Sequence, residues 1–209
     1  DVLLGDGHVA IAACELPCVV INIMRAGPGL GGILPSQADY LQATKGGGHG
    51  DYRLLVLCPA SVQEAADLVQ DAFDLADQYR NPVMILGDGL IGQMMEPVEL
   101  KQRAAPDLPP KTWAATGCKG RGPNIINSLY LDPEELERVN HRIAARYTVW
   151  REREVRWAGY HLDAPYDVLL VAYGTVARVC QTAIDDLEAE GIHAALFRPI
   201  TLYPFPVVP

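Results

Sequence analysis

The sequence predicts an α/β fold built on a parallel sheet, and three observations favour it. Short apolar runs bounded by glycine, proline or aspartate occur at 18–24, 54–58 and 83–86, as is typical of buried parallel strands. A helical pattern separates the second run from the third, which gives the order of a right-handed crossover. A strand–helix–strand pattern also closes the chain at 168–197. We therefore expect a doubly wound sheet within 10–100 and part of a second α/β unit after it.

The helix of the first unit begins with a capping box. Ser61 and Glu64 have the spacing at which two side chains satisfy free N–H groups of a first helical turn. The positions that follow form one apolar face, which comprises Val62, Ala65, Leu68, Val69, Ala72, Phe73 and Ala76. We expect the helix to end near Arg80, because Pro82 cannot continue it.

The middle of the chain differs in composition. Prolines and polar residues without an apolar period occupy 101–127, which indicates a linker or an extended arm. A long amphipathic helix follows from Asp132, and its apolar face comprises Leu136, Val139, Ile143, Tyr147 and Trp150. Its charged face includes Arg142 and Arg146. We expect this face to be a solvated surface, with docking of a partner as the alternative.

The final unit is expected to contain a strand at 168–173, a helix at 176–190 and a strand at 193–197, with Gly191 ending the helix. A unit of this size leaves sheet edges and one sheet face uncovered. We therefore expect more chain or a partner to cover them.

Composition and charge argue against several functions. The 209 residues carry a formal net charge of −9, which disfavours sequence-independent binding of nucleic acid. No apolar run is long enough to span a bilayer, so we expect no membrane contact and a cytoplasmic location. The five cysteines are scattered, as expected for reduced thiols, and their spacing matches neither a metal site nor an iron–sulfur motif.

Two glycine-dense segments, 25–32 and 45–51, mark the candidate site. Glycine allows the backbone to approach a ligand closely, and Arg25 directly follows a predicted strand, at the sheet edge where ligands bind. A guanidinium there can hold a carboxylate with two parallel hydrogen bonds. His49 is a second candidate because glycines surround it. Plain turns with solvated polar side chains stay the alternative for both segments.

Longer motifs resemble those of a known family. They read ELPCVVINIMRAGPGLGG, KGGGHGDYRLLVL, SVQEAADLVQDAFDLADQYRNPVMILGDGLIGQMMEPVEL, GPNIINSLYLDPEELE, LLVAYGTVAR and FRPITLYPFP. From about Glu15 onward the chain resembles the α-type subunit of 2-oxoacid:ferredoxin oxidoreductases, and the branched-chain (3-methyl-2-oxobutanoate) group is nearest. This implies a domain that faces the pyrimidine ring of thiamine diphosphate at 1–105. A linker arm and long helix would occupy 106–164, and the start of a transketolase-C-terminal-like domain 165–209.

The resemblance implies oxidative decarboxylation of a 2-oxoacid to acyl-CoA with reduction of ferredoxin. Thiamine diphosphate with Mg²⁺ would be shared with a β-type partner, and coenzyme A would be the cosubstrate. Iron–sulfur clusters would belong to other chains, with γ- and δ-type subunits among the partners. No residue of this chain is expected to bind a metal.

Family positions transfer to a few residues of this sequence. Arg25 matches the arginine that grips the substrate carboxylate, and Gly27 and Gly29 follow it in the pocket wall. The residues that match the family's second loop are Lys45, His49 and Asp51. We expect Arg25 and His49 to be catalytic, and the remaining positions to bind the cofactor.

Two family motifs, a YPITP-like loop and a glutamate that activates thiamine, do not occur in this sequence. We therefore expect a subunit truncated at both ends that is inactive alone. One alternative is a subunit of a 2-oxoglutarate:ferredoxin oxidoreductase. Another is a non-catalytic assembly fragment that binds a β-type partner, and a third is a different thiamine-dependent activity such as transketolase-like carbon transfer.

Overall fold

The computed structural model describes residues 2–207 and contains two β-sheets flanked by helices. The elements in chain order are α1 (Val2–Ala13), β1 (Cys18–Met24), α2 (Tyr40–Lys45), β2 (Leu55–Leu57), α3 (Val62–Tyr79), β3 (Pro82–Asp88), a short 3₁₀ helix (Ile91–Gln93), α4 (Pro133–Arg153), β4 (Trp157–Tyr160), β5 (Val168–Val171), α5 (Gly174–Ala189), β6 (Ala194–Pro199) and β7 (Thr201–Tyr203). The α/β prediction is confirmed.

The first sheet has the strand order β1-β3-β2-β7. Its first three strands are parallel, and β1 pairs with β3 along its whole length, from Cys18 opposite Pro82 to Met24 opposite Asp88. The predicted crossover through α3 is therefore present. β7 joins the same sheet in the antiparallel direction, so the last strand of the chain returns to the first sheet. The sequence did not predict this strand, and the three-part division of the chain stays a prediction.

Both faces of β2 and β3 are covered, whereas Ile21 and Ile23 of the edge strand β1 stay exposed. Alternate side chains of a strand point to opposite faces. Val56, Met84 and Leu86 pack with residues of α1 and α2 on one face. Leu55 and Ile85 pack with α3 and with Trp150 of α4 on the other. This double cover explains why β2 and β3 read as continuous apolar runs.

The capping box of α3 is present in a modified form. Ser61 Oγ accepts from the N–H of Glu64 at 3.1 Å, as predicted. Glu64 reaches one residue further than the usual box and accepts from the N–H of Ala60 at 2.7 Å. The same carboxylate accepts two hydrogen bonds from Arg198 of β6, which ties the start of α3 to the second sheet.

The predicted arm is extended, and both its first part and the segment just before it run along α3. Glu96 and Glu99 contact the first turn of the helix, where Glu96 accepts from the N–H of Val62 at 2.9 Å. Arg103 then pairs with acidic residues in the middle of α3, and Lys111 pairs with Asp77 near its end. The arm is therefore held against the body by side chains rather than by secondary structure.

One expectation for α4 is wrong. Arg142 and Arg146 do not form a purely solvated face, because both pair with Glu15, which is 5% exposed. Arg146 also donates to Asn81 Oδ1 at 3.0 Å. The partner of these guanidiniums is a buried carboxylate more than 120 positions earlier in the sequence. The periodicity of a single helix cannot reveal such a pair.

The second sheet has the order β4-β6-β5, with β5 parallel and β4 antiparallel to β6. The helix α5 begins at Gly174, two residues before the predicted start, and covers one face through Ala177 and Ile184. β4 supplies an edge that the sequence did not predict. β5 is the other edge, and its Leu169 and Val171 stay exposed.

Across the part of the chain that the structure covers, no helix has both the length and the apolar character that a membrane crossing requires.

Candidate active site

A cleft of about 550 Å³ opens at the carboxyl end of β1. Arg25, Gly27 and Gly29 line it, and so does the polar pair Asn22 and Asp39, whose side chains are joined by a hydrogen bond of 3.3 Å. Three of the predicted site residues therefore share one cavity. It lies at the sheet edge where parallel α/β sheets bind ligands.

The loop after β1 folds back on itself. Arg25 forms an antiparallel bridge with Pro35, and the N–H of Gly32 donates to the carbonyl of Ala26 at 2.9 Å. Gly31 is the tightest point, because its φ is +51° and a Cβ there would lie 1.9 Å from the Ala26 oxygen. Only glycine fits this position, although the sequence indicated no special role for Gly31.

The Arg25 guanidinium is placed by the loop and keeps donors free. Its Nη1 donates to the carbonyl of Gly32 at 3.2 Å, which orients the side chain beside the cleft. Among the side chains that the structure describes, those of residues 7–207, Arg25 makes no other hydrogen bond and no ion pair. Since an arginine has five N–H donors, most stay available to a ligand. The cleft can therefore take an anionic group in the two-bond geometry.

The second predicted loop lies elsewhere. Lys45, His49 and Asp51 are exposed and do not contribute to the described lining of the Arg25 cleft. Tyr52 and Arg53 close this loop locally, through hydrogen bonds to the N–H of Gly47 and the carbonyl of Lys45. The structure thus separates these three positions from Arg25.

Lys45 instead borders a second cleft of about 550 Å³, whose lining also includes Arg151, Tyr203 and Phe205. Lys45 and Arg151 are its two charged lining residues. This cleft lies between α2, α4 and the end of β7, elements whose proximity the sequence did not predict.

Sequence reasoning missed His8, Asp39 and Gln42, which also line the Arg25 cleft. His8 is buried, its Nε2 has no hydrogen-bond partner among the described residues, and burial lowers the pKa of the imidazole. These residues come from α1 and the start of α2. Their sequences carry no amphipathic period that would have revealed them.

The described residues 2–207 contain no group of three His, Cys, Asp or Glu side chains placed to hold a metal ion. The cleft itself offers one guanidinium, the Asn22–Asp39 pair, and apolar walls from Ile21 and Ile23. This donor set suits an organic ligand with a carboxylate and an apolar part.

Two family models match the chain. Residues 3–142 match the thiamine diphosphate-binding domain of pyruvate flavodoxin/ferredoxin oxidoreductases. Residues 166–208 match core domain II of pyruvate:ferredoxin oxidoreductase. The first match begins before Glu15, so it also includes most of α1, which the sequence motifs did not cover.

Curated relatives match nearly the whole chain. Ketoisovalerate oxidoreductase subunit VorB of Methanothermobacter marburgensis is 49% identical over 98% of this chain and 58% of its own length. The 2-oxoglutarate synthase subunit KorA of Methanocaldococcus jannaschii is 33% identical over 92% of this chain and 58% of its own length. The chain thus spans somewhat more than half the length of these relatives.

The fold matches that of a solved 2-oxoglutarate:ferredoxin oxidoreductase from Magnetococcus marinus. The TM-score is 0.79 at 22% identity, over 99% of this chain and 41% of that chain.

Proposed function

Because the chain belongs to the pyruvate flavodoxin/ferredoxin oxidoreductase family, we propose that it is a subunit of a 2-oxoacid:ferredoxin oxidoreductase. The enzyme would decarboxylate a 2-oxoacid oxidatively to acyl-CoA and reduce ferredoxin. The similarity to ketoisovalerate oxidoreductase subunits favours 3-methyl-2-oxobutanoate and related branched-chain substrates. The more distant 2-oxoglutarate synthase subunits make 2-oxoglutarate the second candidate.

The position of Arg25 is the observation on which the proposal depends. Its guanidinium lies at the carboxyl end of a parallel strand, borders a cleft, and uses one described hydrogen bond, to Gly32. A 2-oxoacid presents a carboxylate next to its reactive carbonyl. Arg25 would hold that carboxylate and orient the carbonyl, while Gly27 and Gly29 leave room for the backbone to approach.

The cleft fits the organic part of thiamine diphosphate better than its charged end. Ile21 and Ile23 supply apolar walls, and the Asn22 and Gln42 amides can form hydrogen bonds with an aminopyrimidine. No carboxylate cluster for Mg²⁺ occurs among the described residues, so a β-type partner would bind the diphosphate with its metal. When bound, the cofactor supplies a stabilised carbanion for decarboxylation.

The other assigned positions are also part of the proposal. Lys45 and Asp51 lie outside the Arg25 cleft, so they would bind a part of the cofactor that extends toward α2. A catalytic role of His49 would require a ligand that reaches the same loop. Coenzyme A would be the cosubstrate.

The assembly would include β-type and γ- or δ-type subunits, with iron–sulfur clusters in other chains and ferredoxin as the acceptor. Exposed apolar residues around the cleft, Ile21, Ile23, Ile33 and Leu34, suit burial against a partner. The net charge of −9 disfavours nucleic acid as a partner. A cytoplasmic location completes the proposal.

The test is 2-oxoacid-dependent reduction of methyl viologen by the complex that contains this chain, with thiamine diphosphate, Mg²⁺ and coenzyme A. We expect turnover of 3-methyl-2-oxobutanoate above that of 2-oxoglutarate. Arg25→Gln should lower kcat/KM about 10- to 100-fold, because a charge-assisted bond to the carboxylate is lost. Arg138→Gln, at an exposed ion pair of α4, is the matched control.

Each alternative has its own outcome. Preference for 2-oxoglutarate would identify the second candidate substrate. A stable complex without turnover of any 2-oxoacid would support the non-catalytic assembly fragment. Full activity of the Arg25→Gln variant would contradict the carboxylate role of Arg25.

A further inference from the structure

A third cavity, of about 480 Å³, lies at the amino-terminal end of strands β1 and β3, opposite the end that carries the Arg25 cleft. Its lining includes Cys14 and Glu15, which precede β1, and Arg80, which precedes β3. Trp113 of the arm and Arg142 of α4 also line it. We call it the Arg80 cavity. The seven residues of β1 separate it from the Arg25 cleft by about 20 Å along the strand.

Arg80 has an unusual backbone conformation. It caps the C-terminus of α3 with φ 49° and ψ 53°, in the left-handed region where glycine or asparagine is usual. A side chain with a Cβ is strained there, and such strain is concentrated at functional positions. The conformation directs an arginine from the end of α3 toward the arm.

The Arg80 guanidinium has no hydrogen-bond partner among the side chains that the structure describes, those of residues 7–207. It lies over the Trp113 ring, 4.5 Å from the ring centroid, and makes no described hydrogen bond or ion pair. Its Nε is shielded from solvent and unpaired. Burial lowers the pKa of Arg80. The negative charge of Glu15 raises this pKa, and the positive charges of Arg146 and Arg142 lower it further. Arginine nevertheless stays protonated, so this half-buried cation has Glu15 as a nearby opposite charge but no direct hydrogen-bond partner among the described side chains.

The charges around the cavity do not balance. The cavity lining holds two guanidiniums, of Arg80 and Arg142, and one carboxylate, that of Glu15, to which Arg146 is also bonded. Both oxygens of Glu15 are already bonded, because Arg142 donates to both of them and Arg146 donates to Oε2. The described lining therefore carries an excess of one positive charge, in a chain whose net charge is −9. A long-range attraction of anions to this chain is not expected, so the excess is a local feature.

We infer that the Arg80 cavity binds a phosphate group of a small ligand. Arg80 would provide a fork-shaped pair of donors, and Arg142 would use the N–H groups that Glu15 leaves free. Phosphate has enough oxygen atoms and enough charge to satisfy both. The remaining lining, which includes the polar residues Asn124, Asn127 and Tyr130, would contact the rest of the ligand. A cavity of this volume accommodates a molecule larger than one phosphate ion. The inference is independent of the proposed 2-oxoacid chemistry.

The test uses the complex that contains this chain and the probes inorganic phosphate and pyrophosphate. The Tm is measured against probe concentration, with acetate and chloride at equal ionic strength, because a ligand that binds the folded state raises Tm. We expect both phosphates to raise Tm and acetate to have little effect. Arg80→Gln and Arg142→Gln should each weaken the apparent phosphate affinity at least about tenfold. Arg138→Gln removes an arginine from an exposed ion pair of α4 and should leave the apparent phosphate affinity unchanged.

Three results would overturn the inference. The first is a phosphate response in Arg80→Gln and Arg142→Gln equal to that of the parent. The second is an equal response to acetate, which would make the site a carboxylate site. The third is an Arg80→Gln variant with lower Tm but unchanged phosphate affinity, in which case Arg80 only fastens the arm through Trp113. If Arg80→Gln does not fold, Arg142→Gln and Arg80→Lys decide, since a lysine keeps the charge but not the fork.

Discussion

Glu15 connects the start of β1 to α4 through two ion pairs. It is buried, has a positive φ of 51°, and pairs with Arg142 and Arg146. Burial alone would raise the pKa of Glu15, but the hydrogen bonds and charges of the two arginines outweigh it and lower the pKa. A carboxylate with a lowered pKa stabilises the fold above its unfolded-state pKa, and this contribution is lost as pH falls through the folded-state pKa.

We therefore predict that Glu15→Gln lowers the free energy of unfolding by about 3 kcal/mol at pH 7, since it leaves Arg146 shielded without a counter-ion. The parent should lose this contribution below about pH 4, so the two proteins converge in stability under acid. Urea unfolding from pH 3 to 7 measures both effects. Glu135→Gln, at an exposed pair with Arg138, is the control and should change stability by less than about 1 kcal/mol.

Two glycines of the loop after β1 share a left-handed backbone conformation but differ in their surroundings. Gly29 and Gly31 both have positive φ, but a Cβ on Gly29 meets open space whereas one on Gly31 meets the Ala26 carbonyl. Gly29→Ala should cost only the backbone strain, about 1 kcal/mol. Gly31→Ala should also displace the Ala26 carbonyl and with it Gly32, to which Arg25 is bonded.

The measurement is KM for the 2-oxoacid in the assembled enzyme. We expect a several-fold larger rise in KM for Gly31→Ala than for Gly29→Ala, because only the former moves the Arg25 guanidinium. Equal KM values in the two variants would show that the loop does not position Arg25.

What could be predicted of the site at residue level follows from local chemistry. Arg25 was predictable because it ends an apolar strand beside glycines. His8 and Asp39 were not, since they enter the cleft from helices whose approach to β1 depends on tertiary packing. The exposed loop of His49 carried a similar glycine signal and lies elsewhere. A glycine-dense segment therefore indicates an unusual backbone conformation, but it does not show which loops come together to form the cleft.

At the scale of elements, α4 shows how a long helix is fixed to a sheet. Trp150 is fully buried against Tyr79, Tyr147 and Tyr203, with ring centroids 5.0–6.4 Å apart. Its indole Nε1 is shielded and has no described partner. The packing of the ring therefore stabilises α4, while the N–H does not.

We predict that Trp150→Ala lowers the free energy of unfolding by about 4 kcal/mol, through the cavity that it creates. Trp150→Phe should cost much less, about 1 kcal/mol, because the smaller ring loses contacts but also removes an unpaired donor. Leu136→Ala on the same helix is the control, with 42% exposure and an expected cost below about 1 kcal/mol. Denaturant unfolding of the three variants tests this order. A Trp150→Phe variant as unstable as Trp150→Ala would mean that the indole N–H has a partner.

Elements with strong local signals were predictable, and those defined by distant pairing were not. β1 and α3 match their predictions closely, since apolar runs, the capping box and Pro82 are local features. β7 follows β6 after one residue yet joins the other sheet, beside Val56 and Leu57. No periodicity in a three-residue strand can specify that choice. It depends on the edge that β2 leaves open.

For the whole molecule, the junction between the two sheets is the feature that holds the chain together. The Thr175 hydroxyl donates to Asp88 Oδ2 at the end of β3, and Gln37 Nε2 donates to the carbonyl of Tyr173 at 2.9 Å. Gly174 begins α5 with φ +58°, and a Cβ there would lie 3.3 Å from the Cys58 sulfur. The junction is therefore packed closely around the Cys58 thiol.

This packing makes Cys58 a reporter of the junction. The residue is 1% exposed, and burial, followed by the charges of Asp88 and Glu64, raises the pKa of its thiol. Because the thiolate is the reactive form, Cys58 should be unreactive toward a thiol reagent at pH 8, while the exposed Cys118 reacts at once. Gly174→Ala should open the junction and accelerate labelling of Cys58 about tenfold or more. The added methyl group would lie only 3.2 Å from Gln37 Nε2 and 3.3 Å from the Cys58 sulfur, and its backbone angle is strained.

Gly191→Ala separates a local effect from a general one. Gly191 also has a positive φ, of 80°, and lies just after the same helix, but a Cβ there meets no atom within 4 Å. Both variants should thus lose stability through backbone strain, and only Gly174→Ala should expose Cys58. Peptide mapping of labelled protein gives the rate at each cysteine. Equal Cys58 rates in the two variants would mean that the thiol becomes accessible by general unfolding, and the two sheets would then open as one unit rather than at the Asp88–Thr175 junction.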